Sequence, residues 1–193
     1  GKSTTIEILE GYRQRSSGTV RVLGEDPEHA TRAWRARIGI VLQSAGLPDE
    51  MTARELVAHF ARFYPAPRNV DDVIDHVGLT AKARARIGTL SGGQKRRLDV
   101  ALGIIGRPEL LFLDEPTTGF DPEARRQFWN LIRNLRSDGA TILLTTHYLD
   151  EAAQLSDRAI VVADGRVVAE GAIDKIGGPD ARIPIVRWVD DDG

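Results

Sequence analysis

The sequence contains no cysteine, which excludes disulfide bonds and thiolate metal sites. It also has no excess of basic residues, because 26 Lys and Arg stand against 28 Asp and Glu. A nucleic-acid-binding surface usually carries a basic excess, so we expect no nucleic-acid partner. No apolar run approaches the roughly 18 residues that a membrane-spanning helix requires. If the protein acts at a membrane, another polypeptide must supply the spanning helices.

The 193 residues instead show an alternation of short apolar runs and helical patterns. Continuous short apolar runs are typical of buried strands, and they occur at 38–42, 110–113 and 141–144. An alternating run at 19–23 predicts one further strand, and the Asp164-Gly165 turn predicts a hairpin. Strands that alternate with helices predict an α/β fold with a mainly parallel sheet covered by helices.

A long helical pattern interrupts this alternation between residues 44 and 106. We therefore predict a core domain formed by residues 1–43 and 107–176, with an α-helical subdomain inserted at 44–106. The polar stretch 177–193 is expected to be a tail or the start of a further extension. No internal repeat or low-complexity segment indicates a different architecture.

The sequence opens with a polar string whose residue types suit phosphate binding, Gly1-Lys2-Ser3-Thr4. It matches the end of the phosphate-loop pattern G-x-x-x-x-G-K-[ST], in which backbone N–H groups cradle phosphates. Lys2 can reach the β- and γ-phosphates of a nucleotide, and the Ser3 hydroxyl can ligate Mg²⁺. The N–H groups at the start of the following helix also favour anions. Taken alone, the string would be no more than a polar helix start.

Two carboxylates, Asp114 and Glu115, follow the apolar run at 110–113. Side chains that leave the carboxyl edge of a parallel sheet are well placed to meet a metal ion and a phosphate. Asp114 would hold Mg²⁺ through water, and Glu115 would polarise the attacking water as general base. The alternative is a charged strand end that faces solvent, and the lysine string at the start of the sequence argues against it.

A predicted helix over 91–105 begins with a serine and two glycines, in the string Leu90-Ser91-Gly92-Gly93-Gln94. Glycines at a helix N-terminus let the backbone approach a phosphate closely. The Ser91 hydroxyl and the first N–H groups of the helix can then bind a γ-phosphate. The same residues would also form a plain loop before a helix cap.

This last string matches the signature of the ATP-binding cassette (ABC) family residue for residue, and the chain resembles an ABC transporter ATPase over nearly its whole length. The resemblance implies a P-loop NTPase core of the RecA-like type. Gln43 looks like the Q-loop glutamine, Asp121 like the D-loop aspartate at the dimer interface, and His147 like the switch histidine that contacts the γ-phosphate. Taken singly, these three would be a strand-end polar residue, a helix cap and a surface turn residue.

The resemblance further implies cofactors and partners. ATP would bind with Mg²⁺, for which Ser3, Gln43 and Asp114 would be the metal-site residues. Two ATPase subunits, identical or different, would pair head to tail, with Ser91 of one facing Lys2 of the other across ATP. Hydrolysis would drive a separate integral-membrane permease, and the ATPase would lie at the cytoplasmic face of a bacterial plasma membrane.

Two segments, 43–47 and 114–122, are similar to those of bacterial exporters for drugs and polyketide antibiotics, so we expect an exporter subunit. Before the position of Gly1, the family normally has two or three strands, an aromatic residue that stacks on adenine and the first glycines of the phosphate loop. We therefore expect an N-terminally truncated chain that by itself binds ATP weakly and does not hydrolyse it. Tight Mg-ATP binding to the 193 residues in calorimetry would contradict this expectation.

Three other interpretations remain open from the sequence. A soluble ABC ATPase of translation or DNA repair usually has two cassettes or a long coiled coil, and neither pattern occurs here. A phosphate-loop kinase or GTPase would explain Lys2 and Asp114 but leaves His147 and the serine–glycine string without a role. A regulatory module with degenerate catalysis conflicts with the presence of Glu115 and His147.

Overall fold

The structure is a computed structural model in which residues 2–42 and 46–176 are described. Within these ranges the chain alternates between strands and helices. The α-helices are, in chain order, α1 (Lys2–Leu9), α2 (Arg32–Arg35), α3 (Ala53–Ala61), α4 (Val70–His76), α5 (Gly92–Ile104), α6 (Pro122–Ser137) and α7 (Leu149–Leu155). The strands are β1 (Ile38–Val41), β2 (Leu110–Asp114), β3 (Thr141–Thr145), β4 (Arg158–Ala163) and β5 (Arg166–Ala172).

Three of the strands form a parallel sheet in the order β1-β2-β3. The register pairs Asp114 at the end of β2 with Thr145 at the end of β3. The carboxyl ends of these strands therefore lie at one edge, where the segments that follow them meet. β4 and β5 form a separate antiparallel hairpin, and Asp164 and Gly165 at its turn both have positive φ angles. The parallel sheet agrees with the predicted α/β fold, and the hairpin turn lies where the sequence predicts it.

The central strand β2 is buried on both of its faces. Leu111 and Leu113 belong to a large apolar core that also contains Leu98 and Phe128. Phe112 points to the other face, in a smaller core. Because successive side chains of a strand alternate between faces, this explains why β2 is a continuous apolar run instead of an alternating one.

The described residues between β1 and β2 are mostly helical. Helices α3, α4 and α5 contact one another, and Leu56, Ile74 and Leu98 are almost completely buried there. α3 begins with a capping box, in which the Thr52 side chain accepts a hydrogen bond from Glu55 N and Glu55 Oε2 accepts one from Thr52 N. This region lies where the α-helical subdomain is expected, and the exact subdomain boundaries stay a prediction.

The alternating run at 19–23 does not form a strand, so that prediction is wrong. Val22 and Glu25 make only an isolated bridge, with Val22 N donating to Glu25 O at 2.9 Å. Leu23 and Gly24 both have positive φ angles, 51° and 84°. Two consecutive residues of this kind reverse the chain tightly, so the extended backbone ends at Val22.

No helix in the described ranges combines the length and the apolar character needed to cross a membrane. The longest helix there, α6, is amphipathic: Phe128, Ile132 and Leu135 are buried, while most of its charged side chains are exposed. The predicted tail at 177–193 lies outside the described residues.

Candidate functional site

Four of the candidate residues gather where the parallel strands end. Asp114 and Glu115 lie at the end of β2, and His147 follows β3 by two residues. Helix α1 is bound to the same edge, because Lys2 Nζ donates a hydrogen bond to Thr146 O at 2.9 Å. The structure therefore brings together three segments that are far apart in the sequence.

The Asp114 carboxylate is held by the neighbouring strand, since its Oδ1 accepts a hydrogen bond from the Thr145 hydroxyl. Among the described residues, no cluster of three or more His, Asp or Glu side chains is arranged to hold a metal ion. Mg²⁺ commonly takes one or two protein carboxylates and completes its shell with water and substrate phosphates. The ordered Asp114 carboxylate is therefore a ligand that fits Mg²⁺ bound together with a nucleotide, whose phosphates a lysine could contact.

Glu115 has an uncommon backbone conformation, with a φ of 42°. For a residue other than glycine this region costs on the order of 1 kcal/mol, and it persists where surrounding contacts enforce it. Glu115 N donates to Thr145 O at 3.2 Å. Glu115 Oε2 lies 3.3 Å from His147 Nδ1 and accepts a hydrogen bond from Thr118 Oγ1 at 3.3 Å. The carboxylate is thus held in place while part of it stays open to water.

The serine–glycine string forms the start of α5. Ser91 is the N-cap: its Oγ accepts from Gln94 N at 3.3 Å, and Gln94 Oε1 accepts from Ser91 N at 3.0 Å. Apart from the adjacent residues and the backbone of α5 itself, no heavy atom of the described residues lies within 4 Å of the positions that a Cβ would take at Gly92 and Gly93. The positive end of the α5 dipole is therefore open to an approaching anion.

An open cavity of about 980 Å³ lies in front of this helix start. Its lining includes Ser91 and the two glycines, together with Glu115 and Asp121. Lys2 and His147 are not part of the lining. Within one chain, the serine–glycine string therefore shares a cavity with the catalytic candidate Glu115 but not with the phosphate-binding candidate Lys2.

Asp121 is the N-cap of α6, and its Oδ1 accepts hydrogen bonds from Glu123 N and Ala124 N, each at 2.9 Å. The hydrogen bond from Ala124 N is the largest cause that lowers the pKa of this carboxyl below its ordinary value. Asp121 therefore has a structural role as a helix cap and lies at the mouth of the same cavity.

The remaining candidates are at the start of α1 and after β1. Ser3 and Thr4 lie in the first turn of α1 and are exposed, and the Thr4 hydroxyl accepts a long hydrogen bond of 3.5 Å from Arg13. Gly1 and Gln43 lie outside the described residues. Their assignments stay predictions from the sequence.

Comparison with known proteins identifies the family. The family model described as ABC transporter matches residues 1–118. The chain belongs to the ABC transporter family. It is 41% identical over 177 residues to the Nod factor export ATP-binding protein I of Paraburkholderia xenovorans, and the aligned segment covers 89% of this chain and 58% of that protein. It is 40% identical over 181 residues to a daunorubicin resistance ATP-binding protein of Streptomyces coeruleorubidus, and this alignment covers 91% of this chain and 57% of that protein.

This ABC family chain therefore spans less than two thirds of the length of either relative. Its fold is similar to that of solved ATP-binding cassettes. A post-hydrolysis dimer of a cassette bound to ADP and Pi gives a TM-score of 0.77 at 24% identity, covering 90% of this chain and 81% of that one. The ATP-binding subunit of an ABC transporter also gives 0.77, at 25% identity, covering 91% and 75%. The predicted P-loop NTPase fold of the ABC ATPase type is confirmed.

A buried acid behind the site of this ABC ATPase domain is not among the residues that the sequence predicts. Glu151 in α7 is fully buried, and its Oε1 accepts hydrogen bonds from Thr117 Oγ1 at 2.7 Å and from Trp129 Nε1 at 3.1 Å. It links the helix that follows His147 to the loop that follows β2. The sequence carries only a weak signal for the burial of Glu151. Leu155 lies four residues later, on the same face of α7, and this apolar residue is buried too.

A second buried acid, Glu10, lies at the end of α1, and only 7% of its surface is exposed. Burial, with smaller contributions from the Asp114 and Glu7 charges, raises its pKa from 4.5 to about 7. The folded protein therefore favours the neutral carboxyl. The stability that this preference provides is complete below pH 4.5 and is lost as the pH rises through 7.

We expect Glu10→Gln to remove the loss of stability that accompanies the rise in pH, because the glutamine side chain stays neutral. The free energy of unfolding should rise relative to wild type by up to about 3 kcal/mol at pH 8, with little difference at pH 4.5. Urea denaturation at a series of pH values measures it. Glu7→Gln, at a partly exposed position on the same helix, is the control and should change stability by less than about 1 kcal/mol at any pH. An equal effect of Glu10→Gln at pH 4.5 and pH 8 would contradict the expectation.

Proposed function

We propose that the protein containing this chain is the ATP-hydrolysing subunit of an ABC exporter that drives a separate membrane permease. The observation that carries the proposal is the pairing of Glu115 with His147, whose Oε2 and Nδ1 atoms are 3.3 Å apart. Lys2 donates a hydrogen bond to Thr146 O at the same edge of the sheet. A carboxylate, a histidine and a lysine in one place supply a base, a hydrogen-bond donor and a phosphate contact. One relative is named for Nod factor export and the other for daunorubicin resistance, and these names support an exporter of the drug-resistance type.

In this proposal the start of α1 binds the phosphates of ATP. Lys2 contacts the β- and γ-phosphates, and the backbone N–H groups of the first turn add to the binding. Ser3, Asp114 and Gln43 are the residues that would hold Mg²⁺. When bound, Mg²⁺ would supply positive charge that offsets the negative charge developing on the phosphate oxygens during transfer.

Glu115 acts as the general base that takes a proton from the attacking water. Its Oε2 is hydrogen-bonded to Thr118 and lies beside His147, so the carboxylate is oriented before the substrate arrives. Because His147 Nδ1 faces Glu115, Nε2 is the ring nitrogen left for a γ-phosphate oxygen, and it donates a hydrogen bond there when both ring nitrogens carry a proton. Removing the Glu115 carboxylate should therefore affect the chemical step more than nucleotide binding.

The serine–glycine string completes the site of a second subunit. Ser91, Gly92 and Gly93 form an open helix start on a cavity of about 980 Å³ that excludes Lys2. A nucleotide at Lys2 of one subunit would be contacted by this helix start of the other, with Asp121 beside it. The two subunits, identical or different, would then close around ATP and separate after hydrolysis.

The permease is the partner that selects the cargo, and the ATPase would be peripheral at the cytoplasmic face of a bacterial plasma membrane. We also propose that residues 44–106 act as the α-helical subdomain that links the serine–glycine string to the core. The near-equal numbers of basic and acidic residues, 26 and 28, favour a protein partner over a nucleic acid. The 193 residues by themselves are expected to bind Mg-ATP weakly and not to hydrolyse it.

Affinity purification of the full-length protein from its own membranes, followed by mass spectrometry, tests this proposal. We expect a membrane protein with several spanning helices in a near-equal amount. Recovery only in the soluble fraction, with ribosomal or DNA-associated partners, would contradict the transport function and leave the ATPase assignment in place.

A further inference from the structure

One arginine on the signature helix α5 is buried against the ends of two strands. Arg96 lies five residues after Ser91 and exposes only 6% of its surface. Its guanidinium donates to Pro116 O through Nε at 3.0 Å and to Asp114 O through Nη2 at 3.0 Å. Nη1 donates to Leu42 O. A single side chain therefore contacts three backbone carbonyls on two strand ends.

The three carbonyl groups belong to residues that are adjacent in sequence to the catalytic candidates. Asp114 and Pro116 are the residues on either side of Glu115, and Leu42 directly precedes Gln43. Glu115 has a φ of 42°, a conformation that persists only where its neighbours are fixed. Arg96 fixes the carbonyl groups before and after Glu115. Thr145 fixes the intervening Glu115 N–H.

The charge of Arg96 is not used in a close ion pair. The nearest acid, Asp99 on the same helix, has its Oδ2 4.0 Å from Nη1. Burial lowers the pKa of the guanidinium below its ordinary value. A buried arginine that gives its donors to carbonyls acts through the rigid planar geometry of its donors, which lysine cannot reproduce.

We propose that Arg96 is a positioning residue that couples the signature helix to the catalytic Glu115 and to the end of β1. α5 is a continuous helix, so a displacement of Ser91 when a nucleotide binds there moves Arg96 with it. The carbonyls on both sides of Glu115 then follow. A displacement of the signature helix thereby changes the position of the base. This proposal rests on the ATPase function proposed above.

Arg96→Lys in the full-length protein with its membrane partner tests the coupling. We expect kcat for ATP hydrolysis to fall at least tenfold, while KM for ATP changes less than threefold. Arg133→Lys is the control, because Arg133 is an exposed arginine of α6 that donates to Gln154 Oε1 and Asn130 Oδ1 and does not line the cavity at Ser91. It should leave kcat and KM within threefold of wild type. An Arg96→Lys protein with wild-type kcat would overturn the proposal.

A second measurement separates coupling from a general structural role. In a Glu115→Gln background, Arg96→Lys should change the residual hydrolysis less than twofold, because it acts through Glu115. A further tenfold loss in that background would overturn the proposal. If Arg96→Lys does not fold, Arg96→Gln, which keeps a planar group with two N–H donors, takes its place with the same expectation. Failure of both to fold would show a purely structural residue and also overturn it.

These outcomes are distinct from a failure of the proposed function. A wild-type protein without ATPase activity would contradict the function itself. An active wild type with an unaffected Arg96→Lys variant would contradict only the role of Arg96.

Discussion

Replacing Glu115 by glutamine in the full-length protein is expected to lower steady-state ATP hydrolysis by at least about 10²-fold, within the range that general bases contribute. Glutamine has nearly the same shape, and its amide oxygen can still accept the hydrogen bond from Thr118. It cannot take a proton from water. The loss should therefore appear in kcat, while the affinity for Mg-ATP stays within a few-fold of wild type.

In the mechanism proposed above, hydrolysis separates the two subunits, so the same variant should accumulate as an ATP-bound dimer. Size-exclusion chromatography with and without Mg-ATP measures this state. Glu123→Gln is a suitable control: Glu123 is an exposed acid in the first turn of α6, and its side chain contacts Gln127. That control should keep hydrolysis within twofold of wild type. Near-normal hydrolysis by the Glu115→Gln protein would refute the assignment of the base.

The elements that the sequence predicts well are those whose signals are local or doubly supported. β2 is a continuous apolar run because both of its faces are buried, and such a run is visible without knowing the partners. The start of α5 carries a serine cap with a glutamine three residues later, which the structure forms as a capping box between Ser91 and Gln94.

The predicted strand at 19–23 shows where local patterns fail. The alternation is present in the sequence, but a strand forms only when a partner is beside it. The positive φ angles of Leu23 and Gly24 turn the chain back after Val22. Leucine is a poor sequence signal for such a turn, so only the structure reveals it.

The sequence indicates the candidate site because its residues stand in a fixed order of short strings, even though each string is weak alone, and the roles of these residues stay predictions. The sequence does not indicate the supporting residues. Arg96, Glu151 and Glu10 are charged residues within or at the ends of helices, and a sequence pattern assigns such residues to the solvent face. Their burial depends on strands and loops that come from distant parts of the chain, so it follows only from the packed structure.

Gly39→Ala is expected to destabilise the protein strongly, because strand β1 and helix α5 approach too closely for a side chain. A Cβ at Gly39 would lie 2.2 Å from Gly103 O and 2.9 Å from Leu111 Cδ1. The first of these atoms belongs to the helix backbone and cannot move alone. Overpacking of this kind costs about 1–3 kcal/mol and sometimes more, and we expect the upper end of that range. Thermal denaturation should show a Tm lower by roughly 10 °C.

Substitutions at two further glycines test whether this clash causes the loss of stability in Gly39→Ala. At Gly46, no other part of the described chain beyond the adjacent residues lies within 4 Å of the position that a Cβ would take, so Gly46→Ala should change the free energy of unfolding by less than about 0.5 kcal/mol. Gly103→Ala meets only side-chain atoms at close range, Val41 Cγ2 at 2.9 Å and Leu111 Cδ1 at 3.0 Å. It also gains about 1 kcal/mol of helix propensity, so its loss should be smaller than that of Gly39→Ala. An equal loss at Gly39 and Gly46 would mean that the close approach of β1 and α5 does not limit the side chain at Gly39.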